Sequence, residues 1–204
     1  MKAKKLPRDF FLQDTITVAR ALLGCTLWRR VGQELVAARL VETEAYLGAN
    51  DPASHARRGL RSERNESMDL EGGHAYVYFT YGMHWCMNVV TQEPDTAEAV
   101  LLRAGEPVRG IGSMRERRPK AKRDYDLTNG PGKLCAALAI DRSFDGEDLR
   151  GDSLYLTARD IDVVERDIVV SPRIGVEGAG EAAFWPLRFF LKGNRYVSAY
   201  RNVA

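Results

Sequence analysis

The chain has no apolar run of about 18 residues or more, the length a membrane-crossing helix needs, so no contact with a bilayer core is expected. Its opening, MKAKKLPRDFF, lacks the apolar segment of a secretory leader, which points to the cytoplasm. Cysteine is scarce. Cys25, Cys86 and Cys135 are odd in number, far apart and without a C-x-x-C pair. That excludes a disulfide frame and a zinc ribbon, and fits reduced, buried thiols. Histidine is as scarce, at His55, His74 and His84, so no metal site is expected. Net charge is nearly absent at +2, yet unevenly spread. Residues 103–123 carry eight Lys or Arg against two acids, and 145–167 carry eight acids against three Arg. Arg57, Arg58, Arg61 and Arg64 form a further basic cluster. A chain neutral in sum can therefore hold a positive face suited to a polyanion. The plainer alternative is a mixed, solvated surface.

What is present is ordinary globular composition, with 45% hydrophobic and 28% charged residues in 204. That length predicts one domain over 1–204. Asp14 reads as the N-cap of a helix with Ile16, Ala19, Leu22 and Leu23 on one face and Gly24 at its end. Residues 25–31 and about 35–46 read as two strands of a hairpin, and 47–73 as a long irregular loop of the kind that carries function. AYVYFTYGMHWCMNVVTQ, 75–92, breaks at Tyr81-Gly82 and predicts a second hairpin. AEAVLLRAGEP predicts a strand ending near Arg103, with Pro107 opening a basic helix. A polar basic loop follows to Thr128. Asn129 reads as the cap of a helix with Pro131 near its first position, ending near Ile140. SLYLTA, DIVVS and RIGV predict three short strands, and PLRFFLKGNRYVSAY two more around Gly193-Asn194. The sum is an α+β domain dominated by hairpins.

LVETEAYLGANDPASHARRG, residues 40–59, sets two acids inside an apolar strand. Alternate strand residues share a face, so Leu40, Glu42, Glu44 and Tyr46 point one way. Neighbouring same-face acids repel, so at least one needs a cation or solvent. Two carboxylates at that spacing suit a glycoside hydrolase. Glu44 is nearer the strand end, where reactive groups are displayed; Glu42, deeper, is expected to hold a structural partner. Tyr46, His55 and Tyr78 offer flat faces for a planar ring. Tyr81, at a hairpin tip, is exposed unless it inserts into something. Tyr76 and Trp85 read as core aromatics. Aromatic faces beside basic segments suit nucleic acid, and a carboxylate there suits chemistry on a base or its sugar bond. GPGK, 130–133, lacks the spacing of a phosphate-binding Walker loop, and Arg115, Arg117 and Arg118 can equally be a solvated helix face.

Taken in order, VETEAYLG, the histidine nine residues after Tyr46, YVYFTYGMHWCMN, VLLRAGEP, NGPGKLCAALAI and PLRFFLKG resemble the alkyladenine (3-methyladenine) DNA glycosylases, as a bacterial member, from about Phe10 to about Ser198. The resemblance implies a single α+β domain with a curved, mostly antiparallel sheet, flanking helices and a protruding hairpin. It implies a cytoplasmic, nucleoid-associated monomer acting on double-stranded DNA that contains damaged purines, with no metal and no cofactor. Glu44 would activate a water for attack on the sugar C1′, helped by Arg103. Tyr46, His55, Tyr78 and Leu101 would form the base pocket, with main chain at Ala53 and His55 reading the base edge. Asn88 would reject guanine through its 2-amino group. Tyr81 would fill the hole left by the flipped nucleotide, with Met83 beside it, and Arg64, Lys133 and main chain near Gly175 would meet the DNA backbone. His84 stands where relatives often carry a tyrosine, and its role is not implied.

The chemistry follows from the residues as well. A stacked base hides its glycosidic bond and must be extruded, and a wedge offsets part of the lost stacking. The departing base leaves a cationic sugar that a carboxylate stabilises. No lysine lies in VETEAY or the pocket set, so no strand-cutting Schiff-base step is expected. The rival readings are a non-catalytic nucleic-acid-binding module and a carbohydrate hydrolase using Glu42 with Glu44. One geometric test is built in. A two-residue turn at Tyr81-Gly82 would put Tyr78 and Asn88 on opposite faces. A three-residue loop with a bulge, pairing Phe79 with Met83 and with Gly82 at positive φ, puts them on one face.

Overall fold

The computed structural model describes residues 4–198. Among these the elements run α1 (Arg8–Phe11), α2 (Thr15–Ala21), β1 (Thr26–Val31), β2 (Glu34–Tyr46), β3 (Ala75–Thr80), β4 (His84–Thr91), β5 (Glu98–Arg109), α3 (Ile111–Arg117), α4 (Pro131–Leu138), β6 (Leu154–Thr157), β7 (Ile168–Ser171) and β8 (Arg188–Leu191). The strands form one curled antiparallel sheet in the order β3-β4-β5-β2-β1-β6, with β8 joining β2 and β7 joining β8. The 13-residue β2 is its spine. One edge of β2 pairs with β5 from Ala37 to Tyr46, with interruptions near Glu42. The other pairs with β1 up to Arg39 and with β8 at Glu42–Glu44. The carboxylate-bearing end of β2 is therefore flanked on both sides, so its side chains are held by a rigid backbone.

α2 forms as its sequence dictates. The Asp14 side chain accepts from the Thr17 amide at 2.9 Å, satisfying a donor that the first turn leaves unpaired. Val18, Ala19, Leu22 and Leu23 are fully buried against the sheet with Leu40, Leu102 and Phe189. Thr43, on the β2 face opposite the acids, donates its hydroxyl to the Ala19 carbonyl at 2.8 Å. The 47–73 segment is irregular, with three short 3₁₀ turns at 48–50, 57–59 and 66–69.

Four local expectations are corrected. β5 runs on to Arg109, and Pro107 sits inside it opposite Ala38 instead of opening a helix. The far edge of β5 pairs with β4 only at Glu98–Leu101, so the missing proline N–H disrupts no ladder there. Gly110, at φ 73, makes the break before α3, and a Cβ there would fall 2.5 Å from Val36 Cγ1. Asn129 does not cap α4: Gly130 is the cap residue, and the Asn129 side-chain Oδ1 instead accepts from Lys133 Nζ at 2.8 Å. RIGV forms no strand; its Ile174 N–H turns toward the site below. After Gly193-Asn194 the described residues 195–198 are not a strand, and the remainder of that expected strand lies outside the described residues.

The hairpin test has a clear outcome. Thr80 pairs with His84, which leaves a three-residue loop, Tyr81-Gly82-Met83. Gly82 has φ 64, and Tyr81 itself has φ 51. Tyr78 pairs with Cys86, so Tyr78, Cys86 and Asn88 share one face. The pairing of Phe79 is with Trp85, two residues from the expected Met83. A two-residue shift keeps the faces because the side-chain period is two. Phe79 and Trp85 pack ring to ring at 4.7 Å, the packing role expected of Trp85.

Candidate active site

Two register slips in the β2–β5 pairing flank Glu42. Leu40 pairs with Gly105, Glu42 with Ala104 and Thr43 with Leu102, which leaves Val41 unpaired on β2 and Arg103 unpaired on β5. Bulges re-aim side chains, and this one delivers the guanidinium between two carboxylates. Arg103 Nη1 donates to Glu44 Oε2 at 3.2 Å, and its Nε lies 3.3 Å from Glu42 Oε1. Both glutamates are completely buried. The expected structural partner of Glu42 is Arg188, whose Nε donates to Oε1 at 2.6 Å; the Ser198 amide and hydroxyl complete its shell, each at 2.7 Å. Arg188, Glu42, Arg103 and Glu44 thus alternate in sign and sum to zero, which is how buried charges persist.

Glu44 has three donors. The Ile174 amide reaches Oε1 at 2.8 Å, and the Tyr46 hydroxyl and Arg103 reach Oε2 at 2.9 and 3.2 Å. Tyr46, Arg103 and Ile174 all line a cavity of about 310 Å³. Glu44 sits directly behind that lining. The cavity wall brings together Tyr46, Ala53, His55, Tyr78, Asn88, Leu101 and Arg103 of the expected site, with Tyr81 and Gly175 at its mouth. Met83 is beside Tyr81 on the hairpin tip and exposed. Arg64 lies over the Tyr78 ring at 5.5 Å and donates to the Phe79 carbonyl at 3.2 Å. Lys133 is on the first turn of α4, whose Pro131 lines the cavity. His84 packs against that turn, where a Cβ on Gly132 would fall 2.9 Å from its own Cβ.

Tyr76 is the buried aromatic that the sequence predicts, with a second role beyond that expectation. It is nearly fully buried, as a core aromatic should be, but it also lines the cavity and shares a 2.7 Å hydrogen bond with His55 Nδ1. The signal was available, since Tyr76 and Tyr78 are two apart on one strand. Their rings stack at 5.3 Å, and the His55 ring stands edge-on to Tyr78 at 4.6 Å. Asn88 is fixed by donating its amide nitrogen to the Tyr76 carbonyl at 3.1 Å. Ile174 was also missed, because its contribution is a backbone N–H that no side-chain pattern announces.

A family model described as methylpurine-DNA glycosylase matches residues 9–195. The chain belongs to the methylpurine-DNA glycosylase family. It is a DNA glycosylase by that membership, and its work is DNA repair. It is 46% identical over 195 residues to a Bdellovibrio bacteriovorus protein named as a 3-methyladenine DNA glycosylase, covering 95% of this chain and 98% of that one. It is 48% identical over 194 residues to a Methanocella arvoryzae protein of the same name, covering 95% of each. It is 43% identical over 211 residues to the human DNA-3-methyladenine glycosylase, covering 98% of this chain and 70% of the human one.

In this glycosylase four arginines of the long basic segment are engaged within the chain, while Arg109, Lys120 and Lys122 are exposed. Arg117 donates to the Ala137 carbonyl, Arg118 to the Asp126 carbonyl, and Arg115 and Arg123 pair with Asp124 and Asp126. These arginines staple α3 to α4 and to the turn at 124–127. In the 57–64 cluster Arg61 pairs with Asp69 and Asp95, while Arg57 and Arg58 are exposed. Among the described residues no helix is long and apolar enough to cross a membrane, and no group of three or more His, Cys, Asp or Glu gathers that could hold a metal ion.

Burial favours the neutral forms of the cavity's tyrosines, thiol and imidazole. Burial, then Glu44, raises the Tyr46 hydroxyl well above its ordinary value. Burial also raises Tyr78 and Tyr76, and lifts the Cys86 thiol to about 11. Burial, then Arg64 and Arg57, pulls His55 from 6.5 down to about 4. The unfolded chain binds this proton near pH 6.5 and the folded one only near 4, so stability is intact above 6.5 and declines as pH falls toward 4. The loss is on the order of 3 kcal/mol. Urea unfolding of wild type and His55→Gln at neutral pH and near pH 4.5 checks this. Wild type is expected to lose more stability than the variant; equal losses would contradict the assignment.

Proposed function

We propose that this glycosylase lifts alkylated or deaminated purines out of duplex DNA and hydrolyses the bond between base and sugar with a water activated by Glu44. Candidate substrates are 3-methyladenine, 7-methylguanine, hypoxanthine and ethenoadenine. The observation that carries the reading is the Glu44 carboxylate, sealed behind an aromatic cavity with one acceptor position to spare. A carboxylate has about four lone-pair positions. The three donors on Glu44 leave one on Oε1 among the described residues. That position can take a proton from water as its oxygen attacks C1′, and the negative charge beside it stabilises the cationic sugar. Arg103 holds the carboxylate still.

The cavity's size is at the lower end of small-molecule pockets, roughly 300–1,000 Å³, which suits one purine and not an oligosaccharide. Tyr46, Tyr78 and His55 supply the faces that grip its ring. Asn88, tied to Tyr76, is a fixed obstacle to a guanine 2-amino group. Glu42 cannot act as a second reactive carboxylate, because Arg188 and Ser198 occupy it away from the cavity. Among the described residues no lysine lines the cavity. The product is then an abasic site in an intact strand.

Tyr81 is the wedge in this reading. It is 79% exposed and held at positive φ, which costs a non-glycine residue about 1–2 kcal/mol. Such strain persists where an exposed ring is useful. Tyr81→Gly is expected to leave the melting temperature unchanged or raised while lowering base release by about tenfold, since base–aromatic stacking contributes about 1–3 kcal/mol. A lowered melting temperature with normal release would reverse the assignment. The function as a whole is tested by incubating the protein with duplexes carrying one hypoxanthine, ethenoadenine or 7-methylguanine. Free base and an alkali-labile but uncut strand are expected. Strands cut without alkali, or no base released from any duplex, would contradict the reading.

A further inference from the structure

We infer that the buried Arg173–Asp51 pair is a positioning element for base release, through which one guanidinium sets two walls of the cavity and one donor on Glu44. The inference rests on the glycosylase reading. Both side chains are completely sealed. Arg173 Nη1 donates to Asp51 Oδ2 and, at 3.0 Å, to the Ala45 carbonyl; Nη2 donates to Asp51 Oδ1 at 2.9 Å and to the Ala182 carbonyl at 3.2 Å. The guanidinium also lies over the Tyr46 ring at 4.6 Å. Tyr46 lines the cavity and the sealed Arg173 does not, so the guanidinium backs the ring from behind.

Three chain segments meet on this one group. The first is the end of β2, through Ala45 and Tyr46. The second is the loop after it. Asp51 Oδ1 accepts the Ala53 amide at 2.9 Å, Oδ2 accepts the Leu47 amide at 3.1 Å, and the Asp51 carbonyl accepts the Ser54 amide at 2.9 Å. That turn delivers Ala53, Ser54 and His55 to the cavity. The third is the segment of Arg173 itself, whose next residue, Ile174, gives its N–H to Glu44 Oε1 at 2.8 Å. A buried ion pair is weak grounds for expecting stability, because apolar residues of similar volume often serve as well. Apolar residues could not bind two backbone carbonyls and a carboxylate in one plane while stacking on a ring. The planar fork of arginine does so.

The discriminating variants are Arg173→Lys and Asp51→Asn. Lysine keeps the charge, but its point ammonium cannot span the same acceptors or stack on Tyr46. Asparagine keeps the shape and drops the charge. The measurement is single-turnover release of hypoxanthine from a duplex, scaled to active sites, alongside melting temperature and affinity for an undamaged duplex. Release by Arg173→Lys is expected to slow on the order of 10²-fold, the scale of an ångström-sized misplacement. Asp51→Asn should slow release in the same direction, and the double variant should be no slower than the slower single, because both break one link. Duplex affinity should fall far less than release, since Tyr81, Arg64 and Lys133 are held by other contacts and only the main chain near Gly175 shares the segment of Arg173. A purely structural pair would lower the melting temperature and the active fraction while leaving release per active site normal, and that result overturns the inference. If Arg173→Lys does not fold, Asp51→Asn decides by the same criterion. A wild-type protein inert on these duplexes would instead overturn the glycosylase reading, and this inference with it.

Discussion

Glu44→Gln is expected to slow single-turnover base release on the order of 10²–10⁴-fold, the usual contribution of a positioned acid–base group, with duplex affinity near wild type. The substitution is isosteric. It removes the charge and the basicity, while Arg103 keeps Glu42 as a partner, so no cation is stranded in the interior. The fold should survive and the chemistry should not. Quenched-flow release from a hypoxanthine duplex, with a binding titration on the same duplex, separates the two. A variant that releases base at the wild-type rate would remove Glu44 from the mechanism. One that fails to bind DNA would make Glu44 a structural residue.

Arg103→Met carries the largest expected change in stability. Arg103 is the cation facing both buried acids, and it holds its proton more tightly than usual: burial opposes this, but Glu44 and Glu42 outweigh it. Without it Glu42 keeps Arg188. Glu44 keeps only the neutral donors Tyr46 and Ile174. Breaking a buried pair from one side typically costs about 3–5 kcal/mol, and a loss of that size is expected in urea unfolding at neutral pH. Adding Glu44→Gln should recover part of it, because the stranded charge disappears. If the double variant were less stable than Arg103→Met alone, the charge account would fail. If Arg103→Met unfolded like wild type, the cluster would not be held together as described.

Much of the fold was legible because the local signals were physically strong. Asp14 and Gly24 bracket α2 by capping chemistry, and the turn signals at VGQE and Tyr81-Gly82, with the aromatic and β-branched residues of 75–91, mark two hairpins. The misreadings share a cause: tertiary context overrode a local cue. Pro107 opens helices elsewhere but here occupies a one-sided stretch of β5. RIGV has β-branched residues, yet its Ile174 N–H is used to bind Glu44 and its Arg173 side chain to bind Asp51. In the basic run at 103–123, Arg115, Arg117 and Arg118 also bind carbonyls and an acid of the same chain, contacts that its charge pattern does not announce. Seven expected site residues from Tyr46 to Arg103 line one cavity; the strand period of two put Glu44 and Tyr46 on one face, while Ala53, Asn88, Leu101 and Arg103 were implied by the family resemblance. The bulge that presents Arg103, the carbonyl-binding fork of Arg173 and the Ile174 amide could not be counted. They depend on register slips and main-chain geometry that no residue identity encodes.

The central claim is that a purine leaves the duplex and enters this cavity in front of Glu44. The most direct test is the structure of the Glu44→Gln protein bound to a duplex carrying one hypoxanthine. The prediction is a base turned out of the helix, its ring held among Tyr46, Tyr78 and His55. Its sugar C1′ should face residue 44, and Tyr81 should fill the vacated stack. A hypoxanthine still stacked in the duplex, with Tyr81 outside the helix and the cavity unentered, would contradict the account.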